Sequence, residues 1–123
     1  MSIEFKETLY VPTPALKGML GLSRRAGAVC PGVSALLGII KSRKKPCLVL
    51  VAVEASKQTK SKLYGVCHTH AVPYYTVLSQ GMFGEAIGAR TEILALGITN
   101  QGLAERILTC ITPQNPVDGE AQE

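Results

Sequence analysis

The sequence CLVLVAV, residues 47–53, is the longest apolar run of the chain. Its apolar residues are consecutive instead of alternating with polar ones, which is typical of a β-strand covered on both faces. A helix that spans a membrane needs about 20 apolar residues, so this run is too short to form one. We therefore predict a buried strand here, with other elements packed against both of its faces.

Two helices and a short extended segment are predicted before this strand. Residues 13–14, Thr-Pro, favour a helix start, with threonine as the N-cap and proline in the first helical position. That helix is expected to end near residues 26–27, and an extended segment follows at residues 28–30. A second helix is predicted over about residues 32–43, because apolar residues recur there with helical spacing. Its apolar face comprises Val33, Leu36, Leu37 and Ile40.

Helices and strands continue to alternate after the run. Ser56 is placed to cap the next helix, and Asn100 is placed to cap the last one. Between them, strands are predicted at residues 72–78 and 91–98, separated by a short helix with glycines at its ends. The last helix carries Leu103, Ala104, Ile107, Leu108 and Ile111. Together the elements follow the order α-β-α-β-α-β-α-β-α, which indicates an α/β sandwich.

The size and composition of the chain suit one folded domain. It has 123 residues, of which 46% are hydrophobic and 18% charged, and this composition argues against intrinsic disorder. We expect an N-terminal extension at residues 1–12, a single α/β domain at residues 13–112, and an acidic, disordered tail at residues 113–123. The first residues contain no apolar segment of the kind found in signal peptides, so a cytoplasmic location without membrane contact is expected.

Positive charge is concentrated in the first half of the chain. The net charge is +4, but residues 1–62 hold eleven lysines and arginines against three acids, a balance of +8. Residues 63–123 hold two arginines against six acids, a balance of −4. This asymmetry is consistent with a soluble surface or with a surface that faces phosphate groups. Only Tyr64 among the aromatic residues lies near the basic stretch in sequence, so no aromatic platform is predicted.

Metal and catalytic signatures are weak in this sequence. The four cysteines contain no C-x-x-C pair, and the cluster Cys67-His68-Thr69-His70 has no second ligand cluster elsewhere. Glycine-rich nucleotide-binding motifs are also missing from the sequence. Glu54 ends the apolar strand, where α/β folds often place ligand groups, but it is also an ordinary helix-start acid. We predict no metal, no cofactor and no catalytic residue.

Several segments in order resemble the bacterial stand-alone branch of the L7Ae/L30e ribosomal protein family. They are GLSRRAG at residues 21–27, Gly32 at a helix start, CLVLVAVEAS at 47–56, TKSKL at 59–63, AVPYYTV at 71–77, FGEAIGA at 83–89 and ILALGITNQGLAERI at 93–107. The resemblance covers about residues 14–111. It implies a three-layer α/β/α sandwich with a four-stranded mixed sheet, as in L30e. It also implies a non-enzymatic, monomeric RNA-binding protein that acts on kink-turn or ribosomal RNA, with ribosomal or other ribonucleoprotein proteins as further partners.

The same resemblance implies where RNA would bind. The start of the second helix, at Gly32, Val33 and Ser34, would offer backbone N–H groups to phosphate. The loop at residues 87–91 would lie beside it and pack against an extruded base. The expected RNA-binding residues are Arg25, Gly32, Val33, Ser34, Lys41, Lys57, Lys60, Ile87, Gly88, Ala89 and Arg90, with Arg43, Lys44 and Lys45 as further basic candidates.

The chain departs from the family pattern at the residues that read the RNA. Kink-turn binders that it resembles carry Asn, Glu and Lys on the second helix, where this chain has Ser34, Ala35 and Gly38. The family's Arg in the segment L-G-R is replaced by Glu85. Two main hypotheses therefore remain: an RNA-binding protein, or a protein-interaction module that kept the fold and lost the RNA readers. A small enzyme or metabolite-binding protein, with a pocket around Glu54 and the strand ends, is a third.

Overall fold

The computed structural model describes residues 8–114 and contains one mixed sheet with five helices. The strands are β1 (Leu9–Pro12), β2 (Val29–Pro31), β3 (Leu48–Ala52), β4 (Tyr74–Val77), β5 (Ala95–Ile98) and β6 (Ile111–Pro113). The helices are α1 (Ala15–Arg25), α2 (Val33–Ile40), α3 (Lys57–Thr69), α4 (Met82–Ile87) and α5 (Gln101–Leu108). Across the sheet the strands lie in the order β2-β5-β3-β4-β1-β6.

Strand β3 is the buried strand that the apolar run predicts. All five of its residues are fully buried, and it pairs in parallel with β4 and antiparallel with β5. Val49 and Val51 pack on one face of the sheet, whereas Leu48, Leu50 and Ala52 pack on the other. Because successive side chains of a strand point to opposite faces, two separate hydrophobic cores require an apolar residue at every position.

The helices form two layers, one on each face of the sheet. Helices α1, α4 and α5 cover one face with buried residues that include Leu16, Leu20, Phe83 and Ile107. Helices α2 and α3 cover the other face with buried residues that include Leu36, Ile40, Leu63 and Cys67. The prediction of an α/β sandwich with a mixed sheet is therefore confirmed.

The prediction of four strands is wrong, because the sheet has six. The two additional strands are β1 and β6, which pair antiparallel with each other, while β1 also pairs in parallel with β4. They are only four and three residues long, and each ends in proline. Strands this short give no clear alternation of apolar and polar residues, so their pairing across the sheet is invisible in the sequence.

The two additional strands also change the expected element boundaries. Strand β1 lies within residues 1–12, which were expected to form an N-terminal extension. Ile111 was expected in the last helix but begins β6, since α5 ends at Leu108. Of the expected tail, only Pro113 and Gln114 are described; residues 1–7 and 115–123 lie outside the described part of the chain.

Two of the three predicted helix caps are confirmed. The Ser56 side chain accepts a hydrogen bond from the Thr59 backbone N–H, and the Asn100 side chain accepts one from that of Leu103. The prediction for Thr13 is wrong, because α1 is preceded by Pro14 in helical conformation and no side chain of the described residues caps it. There the Thr13 carbonyl, not its hydroxyl, accepts from the N–H of Leu16.

Gly97 in β5 lets α2 approach the sheet closely. A Cβ atom built at this position would lie 2.7 Å from Leu36 Cδ2 and 3.1 Å from Pro46 Cβ. Leu36 is fully buried, so it has no open space into which it can move. The contact between β5 and α2 therefore requires glycine here.

We expect the substitution Gly97→Ala to destabilise the protein by about 1–3 kcal/mol, because the added methyl group overpacks this contact. Gly38→Ala on the exposed side of α2 is the control, since a Cβ there would meet nothing within 4 Å. Replacing a mid-helix glycine with alanine favours the helix by about 1 kcal/mol. Urea denaturation would measure both effects. Equal stabilities of wild type and Gly97→Ala would contradict the packing analysis.

Candidate nucleic-acid interface

The candidate interface lies at one edge of the sheet, which we call the α2-start edge. It contains the carboxyl ends of β2, β3 and β4. Strands β3 and β4 are parallel, and β2 runs in the same direction because β2 and β3 are both antiparallel to β5. Strand β2 leads directly into α2. Helices α2, α3 and α4 begin after these strands, so their N-terminal ends are gathered at the same edge. The segment before β5 reaches this edge too, since Ala95 O accepts a hydrogen bond from Gly32 N–H at 2.9 Å.

The N-terminal end of α2 is built to leave its backbone N–H groups exposed. Gly32 adopts φ 98°, ψ 144°, a conformation that favours glycine, and the Gly32 carbonyl then accepts from Leu36 N–H at 3.0 Å. No side chain within residues 8–114 caps this helix, and its first turn contains no acid. The first N–H groups of a helix have no partner inside the helix and carry partial positive charge. The start of α2 is therefore a suitable site for a phosphate group.

The loop at residues 88–94 is fixed beside this helix start. Gly88 ends α4 in a left-handed conformation with φ 73°, and the N–H of Ala89 donates to the carbonyl of Gly84 at 2.8 Å. At the other end of the loop, Leu94 O accepts from Ala52 N–H at 2.8 Å. Both ends are thus hydrogen-bonded to regular structure, which holds the loop in one place.

The four expected residues of this loop region differ in how much they are exposed. Ile87 is only 6% exposed and belongs to the hydrophobic core, so it supports the loop from below. Gly88 and Arg90 are exposed, and Ala89 is half-buried. Surface contact with a ligand is therefore available to residues 88–90, whereas Ile87 has almost no surface to offer.

Glu85, the acid that replaces a family arginine, is paired with a lysine. Its Oε1 atom lies 3.1 Å from Nζ of Lys17 on α1, and both side chains are more than half exposed. An ion pair of this kind is formally neutral. Glu85 therefore does not leave an uncompensated negative charge on this part of the surface.

The basic residues expected to surround the α2 start are divided among several places. Lys41, Arg43, Lys44 and Lys45 follow the opposite end of α2, about 12 Å from Gly32 along the helix axis. The Lys45 ammonium donates to the carbonyl of His70 at 2.7 Å. Arg25 is the last residue of α1, and its side chain lies beside Gly21 of the same helix. Its Nη1 atom is 3.7 Å from the position that a Cβ of Gly21 would take. The structure therefore does not bring Lys41 to the helix start of Gly32, Val33 and Ser34.

Lys57 and Lys60 lie in the first turns of α3 and line a groove on the side of that helix that is turned away from α2. The same groove is lined by Tyr64, Tyr74 and Tyr75. The prediction that no aromatic platform lies near basic residues is therefore wrong. Sequence distance concealed it, because β4 brings residues 74–75 next to α3 only when the sheet forms.

The possible catalytic and metal-binding residues have structural roles. Glu54 accepts hydrogen bonds from Ser79 Oγ at 3.2 Å and from Gly81 N–H at 2.8 Å, which tie the loops after β3 and β4 together. Burial raises the pKa of the Cys67 thiol to about 11, so it is neutral at pH 7. Within residues 8–114 no three His, Cys, Asp or Glu side chains are grouped to hold a metal ion. Nor does the described part contain a helix that is both long and apolar enough to span a membrane.

Two proteins that carry the same name are similar in sequence to this chain. A protein of Bacillus subtilis (strain 168) named RNA-binding protein YlxQ is 30% identical over 93 residues, which cover 76% of this chain and 91% of that protein. A protein of the same name from Enterococcus faecium is 28% identical over 88 residues, covering 72% of this chain and 82% of that protein.

Solved structures show the same fold. A Bacillus halodurans protein described as of unknown function matches with a TM-score of 0.71 and 25% identity, covering 77% of this chain and 94% of that one. The Giardia lamblia 15.5 kD RNA binding protein matches with a TM-score of 0.62 and 20% identity, covering 77% of this chain and 80% of that one. At this identity the second match is evidence for the fold alone.

The model of one protein family matches residues 14–108, which is most of the chain and includes all five helices. The matched residues contain the segments in which the sequence resembles L7Ae and L30e proteins. The solved Bacillus halodurans structure has the same fold as this chain. The chain belongs to the ribosomal protein L7Ae/L30e/S12e/Gadd45 family.

Proposed function

We propose that this protein is a non-enzymatic RNA-binding protein that holds structured RNA at the start of α2. One observation carries the proposal: the uncapped helix start at Gly32, Val33 and Ser34 lies at the same edge as the loop at residues 88–94. Curated relatives in two bacteria are named as RNA-binding proteins, which supports the same ligand.

The geometry divides RNA binding between two kinds of contact. The N–H groups of the α2 start receive a phosphate, and this contact does not depend on base sequence. Exposed Gly88 and Arg90, with half-buried Ala89, offer a small surface against which a base that has left its helix can pack. Ribosomal RNA and RNA with a kink-turn-like bend provide such bases next to closely spaced phosphates. We therefore propose this class of RNA as the ligand.

Recognition in this protein depends more on RNA shape than on hydrogen bonds to bases. Ser34, Ala35 and Gly38 are exposed on α2, where the kink-turn binders that the sequence resembles carry Asn, Glu and Lys. Their short side chains leave the helix surface open, so they create no clash with RNA and read little of it. A monomer in the cytoplasm, working with ribosomal or other ribonucleoprotein proteins, fits this function.

The alternative of a protein-interaction module relies on Glu85 and on the missing readers. The ion pair between Lys17 and Glu85 removes the first of these arguments, because the negative charge is compensated within the protein. Two results together would favour the alternative: this protein binds no RNA, and it keeps a bound protein partner after nuclease treatment.

We expect Ser34→Asp to weaken binding of kink-turn RNA or ribosomal RNA by at least about tenfold. The new carboxylate would repel phosphate at the helix start, yet acids in the first turn of a helix stabilise it by about 0.3–1 kcal/mol. Binding and stability should therefore change in opposite directions, which excludes misfolding as the cause. Gel-shift titration at several salt concentrations measures binding, and thermal unfolding measures stability.

The matched control is Ser34→Asn, which is similar in size and uncharged, and should bind at least as well as the wild type. If Ser34→Asp binds structured RNA as tightly as the control, the helix start is not the RNA site. No salt-sensitive binding of the wild type to any of these RNAs would overturn the function itself.

Introducing the Asn, Glu and Lys of the kink-turn binders that the sequence resembles should give this protein discrimination between RNAs. We expect the triple variant Ser34→Asn, Ala35→Glu and Gly38→Lys to bind kink-turn RNA more tightly than the same RNA with its tandem G·A pairs disrupted. A gain of about tenfold in this ratio corresponds to one or two added hydrogen bonds to bases. All three positions are exposed, so the fold should tolerate the changes. An unchanged ratio would mean that this face of α2 does not meet the base pairs.

A further inference from the structure

A second surface of this protein has the features of a nucleic-acid site. A groove of about 1020 Å³ runs between α3 and the strands β4 and β1. Tyr64 and Tyr74 line it with their rings, whereas Tyr10 and Tyr75 border it from β1 and β4. The rings of Tyr10 and Tyr75 pack against the core on the opposite face of the sheet. The pair of tyrosine rings on the α3 side is the feature that requires an explanation.

The ring pair in the groove has a defined geometry. The rings of Tyr64 and Tyr74 are stacked, with centroids 4.8 Å apart and an interplanar angle of 17°. Tyr10 and Tyr75 meet edge to face at 5.0 Å on the opposite face of the sheet. The hydroxyl of Tyr64 is hydrogen-bonded to Thr76 on β4, which fixes the orientation of its ring. Tyr74 is 37% exposed, so the outer member of the stacked pair is accessible to a ligand.

Positive charge lies along the same groove. Lys57 and Lys60 project into it from the first two turns of α3. The described residues that line the groove include no aspartate or glutamate. The groove therefore combines cationic groups with flat aromatic rings, which complements a ligand that has both phosphates and bases.

The groove reaches the α2-start edge at Lys57 but lies on the other side of α3 from α2. Leu63 and Cys67 on the other side of α3 are buried in the core that this helix shares with α2. A ligand in the groove consequently contacts α3 on the side away from α2. Helix α3 divides the two surfaces, so one RNA can occupy both only if its chain passes around the end of α3.

We propose that this groove is a second RNA site that binds a few unpaired nucleotides next to the structured element held at α2. Proteins that bind single-stranded nucleic acid combine a positive groove with aromatic side chains on which bases stack. Bases inside a double helix are already stacked on each other, so the tyrosines favour an unpaired segment. A protein ligand would need acidic side chains for the lysines and gains less from the flat rings. The inference rests on the proposed function in one respect, that the ligand is RNA.

Intrinsic tyrosine fluorescence tests the proposal directly, because the chain has no tryptophan and two of its four tyrosines form the stacked pair in this groove. The probe is an unstructured oligoribonucleotide of about six nucleotides. A parallel titration of free tyrosine amide corrects the fluorescence for light that the oligoribonucleotide absorbs. We expect saturable quenching. Tyr74→Leu should weaken binding by about tenfold, since stacking contributes about 1–3 kcal/mol per base. Tyr74→Phe keeps the ring and should bind like the wild type.

A charge-matched pair on α3 provides an independent test. Lys57→Ala should reduce the dependence of log affinity on log salt by about one phosphate contact. Lys62→Ala removes the same charge from the same helix outside the groove lining and should have little effect. This pair remains informative if Tyr74→Leu does not fold.

The outcomes separate this inference from the function on which it rests. If the oligonucleotide causes no quenching while structured RNA still binds and Ser34→Asp weakens that binding, the groove proposal is wrong and the proposed function stands. If the oligonucleotide binds with the expected variant effects but structured RNA does not, the groove is an RNA site and the α2 proposal is wrong. Equal quenching by inorganic phosphate, or equal effects of Lys57→Ala and Lys62→Ala, would overturn the groove as an RNA site.

Discussion

The burial of β3 on both faces is the constraint from which the arrangement of this protein follows. A strand with two buried faces needs a helix layer on each side and a paired strand at each edge. Strand β4 pairs with one of its edges in parallel, and β5 pairs with the other antiparallel. The helices cover its two faces. Because the chain leaves β3 and β4 at the same end, the starts of α3 and α4 lie at one edge of the sheet. Strand β2 ends at the same edge and leads into α2, and Gly97 allows that helix to pack close to β5.

This arrangement separates the two surfaces that we propose for RNA binding. At the α2-start edge the backbone itself is the positive group, because the first N–H groups of α2 have no side-chain cap within the described residues. Along α3 the positive groups are side chains, and they lie beside tyrosine rings. The first surface suits a bent, structured RNA and the second suits unpaired nucleotides. A protein that combines them can recognise the junction between the two kinds of RNA without reading many base edges.

Much of the fold was predictable because it depends on local patterns. The apolar run of β3, the helical spacing of Leu36 and Ile40, and the caps at Ser56 and Asn100 are each encoded within a few residues. The strands β1 and β6 were missed because their formation depends on partners more than 60 or 90 residues away in sequence. The stacking of Tyr64 on Tyr74 was missed because it forms only when α3 packs against β4. Charge was predictable as a total for the first half of the chain, but not in its distribution: Lys41 lies at the far end of α2, Lys57 lies in the groove, and Lys17 is paired with Glu85.

Amide NMR tests individually whether the backbone N–H groups at the start of α2 hold the RNA. During titration of the labelled protein with kink-turn RNA, we expect the largest shifts at Val33, Ser34 and Ala35, accompanied by shifts at residues 88–90. The amides of α5, on the opposite face of the sheet, should stay unchanged. Unchanged amides at residues 33–35, with the main shifts on α5 or at residues 41–45, would contradict the account.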